Sequence, residues 1–205
     1  MKKLIIALCT LVMAATLYYG VALAVDAKQI YDETIRLHIL AASDSAQDQS
    51  LKLKVRDALL IEMAEWTSGA TDKASSEAIL RDRLAEVERI AEEVLAREGY
   101  PTKVHATLTK EYYPTRSYEG VRLPAGEYTS LQVKIGKAEG KNWWCVLFPN
   151  LCTATAKAEK TMAETGFSKS QIRLLTDDES PRYTIRFRIV EGFAKLGRSL
   201  KELFE

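Results

Sequence analysis

Between residues 26 and 150 the hydrophobic pattern predicts four strands, and three of them alternate hydrophobic and polar residues, the period-2 pattern of a strand with one buried face. They cover residues 34–40, 103–108, 129–135 and 142–148, and the last of them is apolar on both faces. A turn over residues 136–140 is all that separates the third stretch from the fourth. We therefore expect these two strands to pair as a hairpin.

Apolar residues at helical spacing predict two long helices between the first and second strands. The first helix begins after Ser43-Asp44-Ser45 and runs to about Trp66. The second covers Ser75 to Glu98, with Gly99 just past its end.

The C-terminal quarter predicts further helices. Thr153 to Thr165 is a short, alanine-rich helix closed by Gly166. Residues 183–189 alternate as a strand would, but Ser180-Pro181 is typical of a helix start, and we favour a helix over residues 181–203. Its basic residues fit a solvated outer face, and contact with anionic lipid is the less favoured alternative.

Together these elements predict an α+β fold. A small, mostly antiparallel sheet of about four strands is packed by the two long N-terminal helices and by C-terminal helices, in the order β-α-α-β-β-β-α-α. The length of the chain predicts one domain over residues 26–205.

The first 25 residues form an N-terminal segment that is separate from the predicted domain. Lys2 and Lys3 precede an apolar run from Leu4 to Val25 that ends in Ala22-Leu23-Ala24, the three parts of a secretory signal peptide. We expect cleavage after Ala24. An uncleaved membrane anchor is the alternative, and both interpretations place the rest of the chain outside the cytoplasm.

Export changes how the cysteines are interpreted. Cys9 lies in the signal segment, which leaves Cys145 and Cys152 in a compartment where disulfides persist. We expect them to be bonded, with a stabilisation of roughly 2.5 kcal/mol in the chain-entropy model. Two buried thiols are the alternative.

Composition narrows the function classes. The 205 residues carry 29 basic and 28 acidic side chains, a net charge of +1, so no global field attracts nucleic acid. A hydrophobic fraction of 47% excludes a disordered tail protein.

Candidate catalytic chemistry is sparse. His38 and His105 lie on the polar sides of their strands, and with Asp44 or Asp48 they would suit a metal or acid–base site in an exported hydrolase or a wall-remodelling enzyme. Exposed strand histidines are the simpler interpretation. Capping of the first helix by Asp44, Ser45 and Asp48 explains those residues fully.

The motifs of several enzyme classes are missing from the sequence. It has no H-E-x-x-H metal motif, no G-x-S-x-G nucleophile elbow, no aspartic-protease triplet and no phosphate-binding G-x-x-x-x-G-K-[ST] loop. We therefore predict no catalytic residue, no metal and no cofactor.

The strand at residues 142–148 is the best candidate for a binding surface. On a regular strand Trp144, Val146 and Phe148 point to one face while Trp143 and Cys145 point to the other. One face fills the core, and the other needs a cover from this chain or from another protein. The predicted partner-binding residues are Trp143, Trp144, Phe148 and Pro149.

Two motifs resemble those of the stage II sporulation protein R family. The front motif is RLHILAASDS at residues 36–45, followed by Asp48-Gln49 and by LKLKVRD at residues 51–57. The rear motif is NWWCVLFPNLC at residues 142–152. Ala42 stands where the family often has Asn, and Asn150 stands where it often has a second Pro.

This resemblance implies a signalling role. Proteins of the family are made in the forespore and exported into the space between the two membranes. A membrane-embedded aspartic protease of the stage II sporulation protein GA type, on the mother-cell side, needs them to process pro-sigma-E. The resemblance therefore implies a non-catalytic activator that binds the protease.

Overall fold

The structure is a computed structural model that describes residues 2–118, 121–151, 158–176 and 192. Its helices are α1 (Lys2–Asp32), α2 (Ala46–Trp66), α3 (Lys73–Asp82), α4 (Leu84–Arg97), α5 (Ala158–Glu164) and α6 (Lys169–Thr176). Its strands are β1 (Ile35–Leu40), β2 (Val104–Tyr113), β3 (Arg116–Tyr118), β4 (Val121–Leu123), β5 (Gly126–Ile135) and β6 (Asn142–Phe148).

The main sheet has four strands in the order β2-β5-β1-β6. Strand β1 lies in its interior, parallel to β5 and antiparallel to β6. The prediction that β5 and β6 form a hairpin is therefore wrong, because β1 lies between them. The hydrophobic pattern identified both strands correctly, but it carries no information about which strands are neighbours.

The connection between β5 and β6 passes across the end of β1. With strands about 4.8 Å apart, it must span roughly twice that distance, which a tight two-residue turn does not do. The backbone N–H groups of Glu139 and Gly140 donate to the carbonyls of Ala42 and Ala41, just beyond β1. These hydrogen bonds fasten the connection to the chain that leaves β1.

The helical layer differs from the prediction at one point. The helix expected over residues 75–98 is two helices, α3 and α4, which meet at Arg83. Arg83 leaves helical geometry with φ −108° and ψ 14°, and its guanidinium lies 4.9 Å from the centre of the Trp66 ring. Apolar spacing continues through the break, so periodicity alone does not show it.

The hydrophobic core lies between the helices and one face of the sheet. Ile35, Leu37 and Ile39 of β1 are fully buried. Residues from α2, α4 and the other strands of the sheet complete the cluster, among them Val55, Leu59, Val87, Ala91, Leu95, Leu131, Val133, Cys145 and Leu147.

The chain divides into two compact units. The larger unit comprises Tyr31–Tyr112 and Glu127–Phe167 and holds most of the main sheet with helices α2 to α5. The smaller unit comprises Met1–Ile30, Tyr113–Gly126 and Ser168–Glu205. In its described part, α6 packs against β4, and β4 pairs antiparallel with β3.

The α+β class and the four-stranded, mostly antiparallel sheet are confirmed. The predicted order of elements is not matched, because the helix over 75–98 is divided and because α6 and the β3–β4 ribbon were not expected. The predicted helix over residues 181–203 lies outside the described residues, as do residues 153–157 of the helix expected before Gly166. A single domain over residues 26–205 stays a prediction.

Helix α1 extends from Lys2 past the predicted cleavage point at Ala24 to Asp32. Among the described residues we find no helix that combines the length and the hydrophobicity needed to span a bilayer.

Candidate functional site

The second face of the main sheet is lined by polar side chains from three adjacent strands. Its members, which we call the polar face, are Arg36 and His38 of β1, Glu111 of β2, and Ser130 and Gln132 of β5. Register places Arg36 beside Ser130 and His38 beside Gln132. Arg36 and Ser130 are fully buried and His38 is 3% exposed, so the expectation of a solvent-facing polar side on β1 is wrong.

Glu111 is the centre of the polar face. Its Oε1 lies 2.7 Å from His38 Nδ1 and accepts from Gln132 Nε2 at 3.3 Å. Its Oε2 accepts from the Ser130 hydroxyl at 2.9 Å. Because a carboxylate only accepts, the His38 Nδ1 atom carries the proton in this contact.

Two opposing effects act on the pKa of Glu111. Burial is the largest single effect and raises this pKa. The hydrogen bond and charge of His38, with the hydrogen bonds from Ser130 and Gln132, together outweigh burial and lower the pKa below its ordinary value. The carboxylate is therefore ionised over the physiological range.

Arg36 extends the polar face toward β6. Its Nε donates to the carbonyl of Cys145 at 3.1 Å, and its guanidinium lies 5.0 Å from the centre of the Tyr128 ring. The Tyr128 ring in turn meets Tyr31 edge to face, with centres 4.9 Å apart. A buried arginine needs such hydrogen bonds and ring contacts to offset the loss of its hydration.

The structure does not bring the candidate catalytic residues together. His38 contacts Glu111, whereas His105 lies 3.1 Å from Glu88, with its side chain 71% exposed. Strand β5 lies between the strands that carry the two histidines. Asp44 accepts the backbone N–H of Lys141 at 2.6 Å.

The polar face also differs from a Ser–His–acid triad. In a triad the serine donates to the histidine and the carboxylate holds the far side of the ring. Here the Ser130 hydroxyl and the His38 ring bind the two oxygens of the same carboxylate. This arrangement anchors side chains and does not activate the Ser130 hydroxyl through His38.

No group of His, Cys, Asp and Glu residues in the described ranges is arranged to hold a metal ion. The polar face supplies one histidine and one carboxylate, and the carboxylate already accepts three hydrogen bonds.

The predicted cap residues occupy the start of α2. Ser45 is the N-cap, and its hydroxyl accepts the Asp48 N–H at 3.1 Å. Asp48 accepts from the Ser43 hydroxyl at 2.5 Å, so it fastens the turn before the helix. Asp44, as its contact with Lys141 shows, joins this turn to the β5–β6 connection.

The buried Lys52 also holds the turn before α2 against the β5–β6 connection. It is 4% exposed, and its Nζ donates to Gln49 Oε1 at 2.7 Å and to the Lys141 carbonyl at 2.8 Å. Burial lowers the pKa of Lys52, and Arg56 and Lys141 lower it further, while Asp44 acts in the opposite direction.

The predicted partner-binding residues lie in different surroundings. Trp143 and Trp144 are half-buried, whereas Phe148 and Pro149 are buried. The Trp144 ring stacks on His38, with centres 3.8 Å apart and planes 13° apart. Trp143 packs at the margin of the core, and the Arg56 guanidinium lies 5.1 Å from the centre of its ring.

A register shift explains the burial of Phe148. Arg36 pairs with Val146, but the neighbouring Ile35 pairs with Phe148, so β6 carries an irregularity there. Leu147 and Phe148 both join the hydrophobic core as a result. The expected placement of Phe148 on the same face as Trp144 is therefore wrong.

Cys145 is buried on β6, and Cys152 lies outside the described residues. The disulfide between them stays a prediction. Cys9 is an exposed free thiol on α1.

Sequence reasoning missed three members of the site, Glu111, Ser130 and Gln132. Alternation on β5 places Ser130 and Gln132 on the side that Arg36 and His38 occupy on β1, and this was the available signal. Glu111 gave no such signal, because the predicted second strand ended at residue 108 and the observed strand continues to Tyr113.

The front and rear motifs meet in the structure. Strand β1 belongs to the front motif, strand β6 belongs to the rear motif, and the two pair along their whole length from Ile35–Phe148 to Leu40–Asn142. The stacked pair His38 and Trp144 joins one residue from each motif.

Comparisons with known proteins agree with these motifs. The family model of Stage II sporulation protein R matches residues 31–158. Stage II sporulation protein R of Bacillus subtilis (strain 168) is 38% identical over 152 residues, which cover 73% of this chain and 68% of that protein. No solved structure matches. The chain belongs to the stage II sporulation protein R family.

Proposed function

We propose that this chain is an exported signalling protein of endospore formation. It acts between the forespore and the mother cell by switching on a membrane-embedded aspartic protease that processes pro-sigma-E. The proposal takes its partner from the family to which the chain belongs. In this proposal the chain contributes binding, and the partner supplies the groups that break the peptide bond.

The pairing of β1 with β6 is the observation that carries this proposal. It gathers the front and rear motifs of the family into one structural unit, with two tryptophans on β6. Tryptophan is the residue type most enriched among side chains that dominate protein–protein binding, because it supplies a large apolar area with few rotatable bonds. Trp143 and Trp144 are half-buried, so part of each side chain is held by the fold and part is accessible.

Each residue of the alternative hydrolase site is engaged elsewhere. His38 contacts Glu111, His105 contacts Glu88, and Asp44 accepts from Lys141. A hydrolase built from these residues would have to rearrange two strands and a helix cap, and so the activator is favoured.

Binding produces activation through differential affinity. A ligand shifts the equilibrium between two states of its partner only if it binds one of them more tightly. We propose that this chain binds the active state of the protease, which we expect to be dimeric, more tightly than the inactive state.

Reconstitution tests the proposal. The purified chain, the protease in lipid and pro-sigma-E are combined in three arms: all components together, the protease without the chain, and the chain without the protease. We expect cleavage only in the first arm, and we expect its loss when a catalytic aspartate of the protease is replaced. Equal cleavage without the chain would contradict the activator role, and cleavage by the chain alone would make it an enzyme.

A further inference from the structure

Glu111 lies in neither family motif, but the His38 ring links it to residues of both motifs. Its Oε1 lies 2.7 Å from Nδ1 of His38 in the front motif. The His38 ring stacks on Trp144 of the rear motif. The three side chains therefore form a continuous series from a carboxylate through an imidazole to an indole.

The hydrogen bond between His38 and Glu111 restricts the terminal side-chain torsion of His38, which would otherwise sample a wide range of angles. The terminal torsion of histidine joins an sp³ carbon to an sp² carbon, and its energy profile is broad. A hydrogen bond at Nδ1 lies near the plane of the ring, so it selects one orientation of that plane. The Trp144 ring lies only 13° from the same plane.

The carboxylate is itself fixed. Ser130 holds Oε2, and Gln132 joins His38 at Oε1. Both donors lie on β5, next to β1 in the interior of the sheet. Because donors of the sheet hold Glu111 in place, Glu111 in turn restricts the motion of the His38 ring.

The chain contains a second histidine–carboxylate pair for comparison. His105 Nδ1 lies 3.1 Å from Glu88 Oε1, but the His105 side chain is 71% exposed, whereas the His38 side chain is 4% exposed. Of the two histidines, only His38 is buried, and its ring stacks on an aromatic side chain.

We infer that Glu111 is a positioning residue for the recognition surface: it orients His38, and His38 orients the Trp144 indole for the partner. This inference rests on the proposed function for its biological consequence. Orientation before binding raises affinity because less side-chain freedom is lost when the complex forms.

The first test measures the orientation of Trp144 without any partner. In the full chain carrying Trp66→Phe and Trp143→Phe, the fluorescence that remains when tryptophan is excited selectively comes from Trp144, since the chain has three tryptophans. Glu111→Gln keeps the size of the side chain but removes its charge. We expect Glu111→Gln to lower the fluorescence anisotropy of Trp144 and to increase its quenching by acrylamide, and we expect Glu111→Asp to restore part of the signal.

Two matched variants separate positioning from general loosening. Glu88→Gln changes the exposed histidine pair, and Ser130→Ala removes one hydrogen bond from Glu111 but leaves the contact with His38 in place. Under conditions where all variants are folded, Glu88→Gln is expected to leave the anisotropy close to that of the parent chain. Ser130→Ala is expected to lower it less than Glu111→Gln does, because Gln132 still holds the carboxylate. Unchanged anisotropy in Glu111→Gln, or an equal fall in Glu88→Gln, would overturn the inference.

The second test measures the consequence for the partner. In the reconstituted cleavage assay, Glu111→Gln is expected to raise the concentration of chain that gives half-maximal cleavage about tenfold, the scale on which the loss of an orienting outer partner weakens binding at metal sites. The maximal rate is expected to stay the same. If anisotropy falls but the half-maximal concentration does not change, Trp144 is not part of the recognition surface and the inference fails in its functional half. If Trp144→Ala weakens activation while Glu111→Gln changes neither readout, the proposed function survives and the inference does not.

Discussion

Gly140 lies so close to Ser43 that a Cβ atom at position 140 would be 2.2 Å from the Ser43 carbonyl oxygen. The contact joins the β5–β6 connection to the turn between β1 and α2. Backbone hydrogen bonds from Glu139 and Gly140 to Ala42 and Ala41 hold the same junction. Only glycine allows this approach without a shift of the backbone.

Gly140→Ala is therefore expected to lower the free energy of unfolding by about 1–3 kcal/mol, the usual cost of overpacking a close contact. Chemical denaturation measures it. Gly69→Ala is the matched control, because a Cβ at Gly69 has nothing within 4 Å. We expect this control to lie within about 0.5 kcal/mol of the parent chain. Equal effects of the two substitutions would show that the contact at Gly140 does not constrain the fold.

The polar face predicts a pH dependence of stability. Folding lowers the pKa of Glu111 from its ordinary value of 4.5, so the native state holds the ionised form more strongly than the unfolded chain does. This contribution is fully present above the unfolded value, and it is lost as pH falls through the lower, folded value.

Glu111→Gln removes that contribution. At neutral pH we expect its free energy of unfolding to be about 1–3 kcal/mol below that of the parent chain, the cost of disrupting hydrogen bonds to a partly buried charge. The difference is expected to shrink as pH falls below 4.5. Urea denaturation across this range measures both curves. A difference that stays constant with pH would show that ionisation of Glu111 does not stabilise the fold.

Phe148 illustrates how packing limits a binding role. Its side chain is 5% exposed within the core cluster. Phe148→Ala is expected to lower the free energy of unfolding by about 3–5 kcal/mol, whereas Phe148→Leu keeps most of the volume and costs less. Calorimetry measures both. A Phe148→Ala chain of normal stability that fails to activate the protease would instead make Phe148 a contact residue.

Alkylation and peptide mapping test the predicted disulfide between Cys145 and Cys152. We expect the exported chain to resist alkylation at both positions until it is reduced, and non-reducing peptide mapping to recover the two segments joined. Replacing both cysteines by serine is expected to lower the free energy of unfolding by roughly 2.5 kcal/mol. Alkylation of both thiols without reduction would contradict the pairing.

Periodicity predicted individual elements better than their arrangement. It located β1 to within a residue because its apolar residues alternate cleanly, and it located β6 from a short run that is apolar on both faces. It did not show that β1 lies between β5 and β6, since pairing depends on contacts between distant segments. The break at Arg83 was missed because apolar spacing continues through it.

The site was predictable only in part. Alternation placed Arg36 and His38 on one face of β1, but it favoured an exposed face because both side chains carry polar groups. The buried His38 contacts the Glu111 carboxylate, which is 73 residues away in the chain, so alternation within β1 alone did not show this contact. The tryptophans of β6 were visible in the sequence, but the stacking of Trp144 on His38 required the register of the sheet.

The central claim is that the chain acts by docking through the tryptophans of β6. The most direct measurement is the concentration of chain that gives half-maximal cleavage of pro-sigma-E in the reconstituted assay, compared among the parent chain, Trp144→Ala and the matched control Trp66→Phe. A tryptophan that dominates an interface contributes about 2 kcal/mol or more, so we expect Trp144→Ala to raise this concentration roughly 30-fold while Trp66→Phe leaves it near the parent value. Identical half-maximal concentrations for Trp144→Ala and the parent chain would contradict the account.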